Sequence, residues 1–258
     1  MSLKTIRQKI KEQRRAARQS YKKRLSEIRC SERVYLEEYY LTTGKPIPKN
    51  PPRRATLEEI GNSVTHGLGA VFALVAMALM LAFADGVAQI ASALIYSLGM
   101  LLAFLSSCLY HALPYGRRAK RLFRRFDYSG IYLLIGATFA PVLLSCMGDA
   151  FGIAFFIVQW TVIITGVSLI GVFGPTRLRF IHIPLYVILG WSALMLMPSM
   201  LAWDFYLALF ILLGGVIYTL GIIPFAIKAR VSHFIWHLFV LLGAVCQWVG
   251  IFVFIYLK

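Results

Sequence analysis

Seven apolar stretches dominate this chain, at about 62–84, 88–113, 127–147, 150–173, 180–200, 203–224 and 232–257. Each supplies the roughly 20 residues that a helix needs to cross a bilayer. Hydrocarbon offers no partner to a bare peptide group, so the crossings have to be helical. The expected fold class is an all-α integral membrane protein, a seven-transmembrane helix bundle. Composition agrees: 59% of the residues are hydrophobic, against about 45–50% apolar residues in ordinary soluble domains.

The net charge of +16 is concentrated at one end. Residues 1–54 hold 16 Lys and Arg against 5 Asp and Glu, and the rest of the chain holds 11 and 6. Two parts are expected: a basic tail with a linker over 1–54, and a seven-span membrane domain over 55–258. The tail has few apolar residues, with Tyr35, Tyr39 and Tyr40 clustered late, before Gly44, Pro46, Pro48, Pro51 and Pro52 break any helix. Its composition suits anionic lipid headgroups. Nucleic acid is not expected as a partner, because no nucleic-acid-binding motif accompanies the charge. Of Cys30, Cys108, Cys146 and Cys246 none forms a C-x-x-C pair, so neither a disulfide framework nor a thiolate metal site is expected. No apolar signal segment lies near Met1, which keeps the tail in the cytoplasm.

Loop charges set the orientation. Arg117, Arg118, Lys120, Arg121, Arg124 and Arg125 lie between the second and third spans. Arg177 and Arg179 lie between the fourth and fifth, and Lys228 and Arg230 between the sixth and seventh. The other three loops carry only Asp85, Asp149 and Asp204. Every basic loop then falls on one side, with the N-terminus cytoplasmic and the C-terminus outside.

That orientation gives each polar residue a depth. His233 and His237 follow Arg230 by three and seven residues, roughly 4–10 Å below the cytoplasmic boundary at ~1.5 Å per residue. Four residues apart on a helix, they share a face. His111 precedes Arg117 by six residues and reaches the same level. All five histidines, with Glu59 and Asp127, fall in the cytoplasmic third. Ionisable groups in a membrane are costly and mark function. Three imidazoles are the donor set of an open zinc (Zn2+) site that leaves a position for water. Such a water is a nucleophile near neutral pH.

Ser107 lies one turn from His111 and is a candidate hydrogen-bond donor to a developing oxyanion. Asp127 begins the third span and is a candidate general base or partner of a histidine. Glu59, Asn62 and His66 form a stripe at i, i+3 and i+7, read as a polar network. His182, beside Pro184, is read as an interface histidine.

Several segments together resemble the hemolysin III family, related to the progestin and adipoQ receptors and, more distantly, to the alkaline ceramidases. They are Glu59 to Gly67, Ser107 to His111, Asp127 to Tyr132, Gly190-Trp191, Tyr218 to Gly221 and His233 to Val240, and the resemblance covers about 55–258. It implies zinc near the cytoplasmic face, with His111, His233 and His237 as its ligands and Ser107 and Asp127 beside it. Tyr128 stands where family members often carry His, and the long basic tail is unusual beside short members.

Site depth leads to a functional expectation. Ester and amide carbonyls of membrane lipids lie just under the headgroups, at the level of these histidines. The expected activity is metal-dependent hydrolysis of a lipid amide or ester in the cell (inner) membrane, with membrane lipids as substrate or ligand. The alternative is a receptor-like sensor of lipid homeostasis with structural zinc. A cytolytic pore is disfavoured, since no span outside the inner third carries the polar stripe of a water-filled channel.

Overall fold

The computed structural model describes residues 8–24, 26–27, 54–227, 229 and 231–258. The chain divides into two compact units, Met1–Asn50 and Pro51–Lys258. In the first unit the described residues are helical and exposed. The proline-rich linker, the three tyrosines and Cys30 lie outside the described residues, as do Lys228 and Arg230.

The second unit contains seven helices long and apolar enough to span a membrane. They are α1 (Thr56–Ala82), α2 (Gly86–Ala112), α3 (Arg118–Met147), α4 (Ala150–Phe173), α5 (Arg179–Trp203), α6 (Phe205–Ala226) and α7 (Ser232–Tyr256). No strand occurs among the described residues. The protein is thus the expected seven-span all-α bundle. Two helices start more than a turn before their apolar stretches do. Helix α1 begins at Thr56 and places Glu58 and Glu59 in its first turn, where acidic side chains complement the helix dipole. Helix α3 begins at Arg118, so Lys120, Arg121, Arg124 and Arg125 lie on a helix and not in a loop.

Asp149 and Asp204 start helices. Asp149 Oδ1 accepts from Gly152 N at 2.7 Å, and Asp204 Oδ1 accepts from Tyr206 N and Leu207 N at 2.8 and 3.3 Å. Each satisfies amides that have no partner within their own helix. At Pro141 the missing amide hydrogen interrupts the α-helical ladder of α3, and the helix finishes as a π-helical turn, Val142–Met147. A 3-10 segment, Ser192–Leu196, interrupts α5 ahead of Pro198.

Helices α1, α2 and α3 pack in succession, α6 packs on α7, and α7 returns to α1. The main core lies among them, around Ala73, Met80, Tyr96, Met100, Phe104 and Trp248. A second cluster, Tyr132, Ile163, Ile170 and Leu189, joins α3, α4 and α5. The closest approach relevant to the site is between α2 and α3: a Cβ on Gly130 would meet Ala103 Cα at 2.8 Å. Gly130 is three residues from Asp127 and Ala103 four from Ser107. The missing side chain therefore lets α3 bring Asp127 in toward Ser107.

Candidate metal centre

Helix α7 places His233 and His237 on one face, one turn apart. Their Nε2 atoms lie 3.2 Å apart. Two nitrogens bound to one tetrahedral ion at ~2.0–2.1 Å stand about 3.3 Å from each other, so this spacing suits shared ligation. His111, near the end of α2, completes the group: one ligand atom from each of the three residues lies within 4.8 Å of the others. The His111 ring centroid is 4.8 Å from that of His237 and 5.3 Å from that of His233.

His111 is held from behind. Its Nδ1 lies 2.5 Å from Glu59 Oε2. A carboxylate only accepts, so Nδ1 carries the proton and donates, which leaves the Nε2 lone pair free. Nε2 is buried and has no protein partner. An imidazole that donates one nitrogen to a carboxylate while presenting the other is the usual arrangement of a metal-ligating histidine. Asn62 Nδ2 lies 3.4 Å from the same Nδ1. The residues present thus fit a metal ion by donor type, spacing and an orphaned buried nitrogen. Imidazole donors suit zinc, copper, iron and nickel.

Behind Glu59 stands Lys120, which is almost fully buried. Its Nζ lies 3.2 Å from Glu59 Oε1 and donates to Tyr110 O and Leu113 O, both at 2.9 Å. One ammonium therefore compensates the partly buried carboxylate and satisfies carbonyls at the end of α2. Sequence reasoning counted Lys120 only as loop charge. Its spacing from Arg124 and Asp127, i, i+4 and i+7, was the available sign that it shares a helix face with a site residue.

Ser107, Asp127, His66, His233 and His237 line one end of a cavity of about 220 Å3. The cavity continues between α3, α5, α6 and α7, past Leu134, Phe139, Val187, Leu196 and Met200. Ser107 Oγ is buried and faces the Asp127 carboxylate. His66 stacks on His237, with centroids 3.8 Å apart, and both of its ring nitrogens are unpartnered. Of the Glu59, Asn62 and His66 stripe, Glu59 and Asn62 each meet His111, and His66 meets His237 by ring stacking. His182 stands apart, its Nδ1 3.0 Å from Tyr132 Oη. Tyr128 lines the cavity, and its carbonyl accepts from the Tyr186 hydroxyl at 2.9 Å.

Fold and site together define a multi-pass membrane protein with a three-histidine cluster inside its helix bundle. The chain belongs to the haemolysin III family, whose "Haemolysin-III related" model matches residues 54–248. It is 31% identical over 195 residues to the hemolysin-3 homolog of Bacillus subtilis (strain 168), covering 72% of this chain and 89% of that protein. It is 33% identical over 195 residues to hemolysin-3 of Bacillus cereus, covering 72% and 87%. The human monocyte to macrophage differentiation factor is 28% identical over 207 residues, covering 77% and 85%.

Proposed function

We propose that this protein is a zinc-dependent hydrolase of the cell membrane, cleaving a lipid amide or ester near the cytoplasmic leaflet. One observation carries the reading: Ser107, Asp127, His233 and His237 line the polar end of a cavity that is otherwise mostly apolar. Such a cavity suits an acyl chain, and its polar end suits the carbonyl at the head of that chain. The cytoplasmic assignment rests on the loop charges, which favour the end where α2 finishes and α7 begins.

Bound there, zinc would supply Lewis-acid activation of a water. The chain's own residues have distinct roles. His111, His233 and His237 would hold the ion, and Glu59 with Lys120 fixes the His111 ring. Asp127 takes a proton from the attacking water and delivers it to the departing nitrogen or oxygen as the carbonyl carbon's bond to that atom breaks. Ser107 donates to the carbonyl oxygen as negative charge develops on it. The apolar walls keep bulk water from the acyl chain.

The test is turnover of a ceramide and phospholipid panel by detergent-purified protein of measured zinc content, beside His111→Ala and Asp127→Ala. Release of fatty acid that both substitutions abolish supports the reading. Absence of turnover in protein with one zinc per chain overturns it.

A further inference from the structure

The cavity has a second polar level, far from the histidines. Thr138, Tyr218 and Gln247 line its wall from α3, α6 and α7. Thr138 lies eleven residues beyond Asp127, and Gln247 ten beyond His237. At ~1.5 Å of rise per residue both stand about 15 Å further along the bundle. Tyr218 stands about one turn nearer the histidines: a Cβ on Gly243, four residues before Gln247, would meet its ring at 3.0 Å. The wall around them is apolar, with Ile135, Leu196, Met200 and Ile211.

The bonding at this level is incomplete. Tyr218 Oη is buried without a partner. Behind it the fully buried Tyr96 hydroxyl lies against the Thr138 hydroxyl. Gln247 Nε2 donates to Ile211 O at 3.1 Å, which leaves its side-chain carbonyl as an acceptor. Thr138 donates to Leu134 O at 2.7 Å and has a second oxygen lone pair beyond the one facing Tyr96. An idle donor and two acceptors thus face one apolar cavity. Buried polar groups without partners are costly, and a guest that supplies the missing hydrogen bonds is favoured over one that does not.

We propose that this level binds a second polar group, a hydroxyl, carried on the chain of the lipid about 15 Å from its head. The cavity then selects oxygen-substituted acyl chains over plain ones. The inference rests on reading the cavity as a lipid site, but it does not need the metal to do chemistry.

The experiment measures binding, not turnover. Full-length protein in detergent is titrated with stearic acid and with a mid-chain hydroxystearic acid, each displacing a fluorescent fatty acid. The hydroxylated acid is expected to bind about fivefold to tenfold more tightly, the gain from one or two added hydrogen bonds. Tyr218→Phe and Gln247→Leu together are expected to erase that ratio while zinc content stays at the wild-type level. Ser92→Ala, outside the cavity, is expected to keep it. Equal affinity for the two acids in the wild type would mean that water alone fills this level, and would overturn the proposal. So would a preference that survives the double substitution. Failure of both acids to bind would sink the lipid reading itself, a result distinct from a lost preference.

Discussion

The two ends of the bundle each carry a buried polar network, and the two are built on opposite rules. At the end where α7 finishes, Ser92 Oγ lies 2.9 Å from Ser145 Oγ and 2.8 Å from Tyr256 Oη, and the tyrosine donates to Gln89 O at 2.9 Å. Gln89 Nε2 donates to Ile255 O at 3.3 Å, and at the exposed rim Trp203 Nε1 donates to Phe254 O at 3.0 Å. These donors satisfy carbonyls left over where α7 ends in the π-helical turn Phe252–Tyr256. Each of these hydroxyls and side-chain N–H groups has a partner. At the other end the ring nitrogens His111 Nε2 and His237 Nδ1 are buried and have none. In apolar surroundings a saturated network holds the fold together, whereas an unsaturated one is costly unless something else completes it. The difference sets a saturated end apart from an unsaturated one inside one bundle.

The largest test of that distinction removes a ligand. His111→Ala is expected to lose stoichiometric metal outright in elemental analysis of purified protein, while Ser92→Ala keeps it. Retained metal in His111→Ala would mean that the ion sits elsewhere. Next in size is Glu59→Gln, which keeps the side chain's shape but removes the charge. Metal affinity should fall roughly 10–100-fold in a competition titration with a chromophoric chelator. An unchanged affinity would reduce Glu59 and Lys120 to a structural clasp like the one at the other end. Chelation comes third. At free zinc a hundredfold above Kd, the ion adds about 2.7 kcal/mol to the folded state. A chain of this size shifts by about 2–4 °C per kcal/mol, so stripping the metal should lower Tm by about 5–10 °C. The same treatment should leave the Tm of His111→Ala unmoved.

The seven spans were legible because a period-free run of about 20 apolar residues has few other interpretations. The histidine cluster was legible for a related reason. Loop charge gave depth, depth sorted the few ionisable groups, and helical spacing put His233 over His237. What stayed hidden depended on lateral packing. Nothing in the spacing of Glu59 says that its carboxylate reaches His111 on the next helix, because that contact is set by how α1 lies against α2. Lys120 was hidden by its neighbours, being one of six basic residues in a short stretch, of which only it and Arg124 are buried. Thr138, Tyr218 and Gln247 lie on three different helices, and only the cavity between α3, α5, α6 and α7 brings them to one wall. Asp149 and Asp204 were read through their charge, but in the structure they serve through their oxygens, as helix caps.

The smallest expected effect probes the saturated network. Tyr256→Phe removes one hydroxyl that both donates to Gln89 O and lies 2.8 Å from Ser92 Oγ. A net hydrogen bond is worth about 0.5–1.5 kcal/mol, and in membrane bundles the average is nearer ~0.6 kcal/mol. Ser92 keeps Ser145 and Gln89 O as partners, so the loss is cushioned and should stay close to the lower figure. A Tm drop of about 1–3 °C, with zinc content unchanged, is the outcome expected from a network that only fastens helix ends. If Tyr256→Phe instead lowered metal occupancy, the two ends would be coupled through α7. His237 and Tyr256 are nineteen residues apart on that helix, about 28 Å by its rise. Coupling over that length would require the helix to shift as a rigid body, and the contrast between the two networks would then describe two ends of one switch.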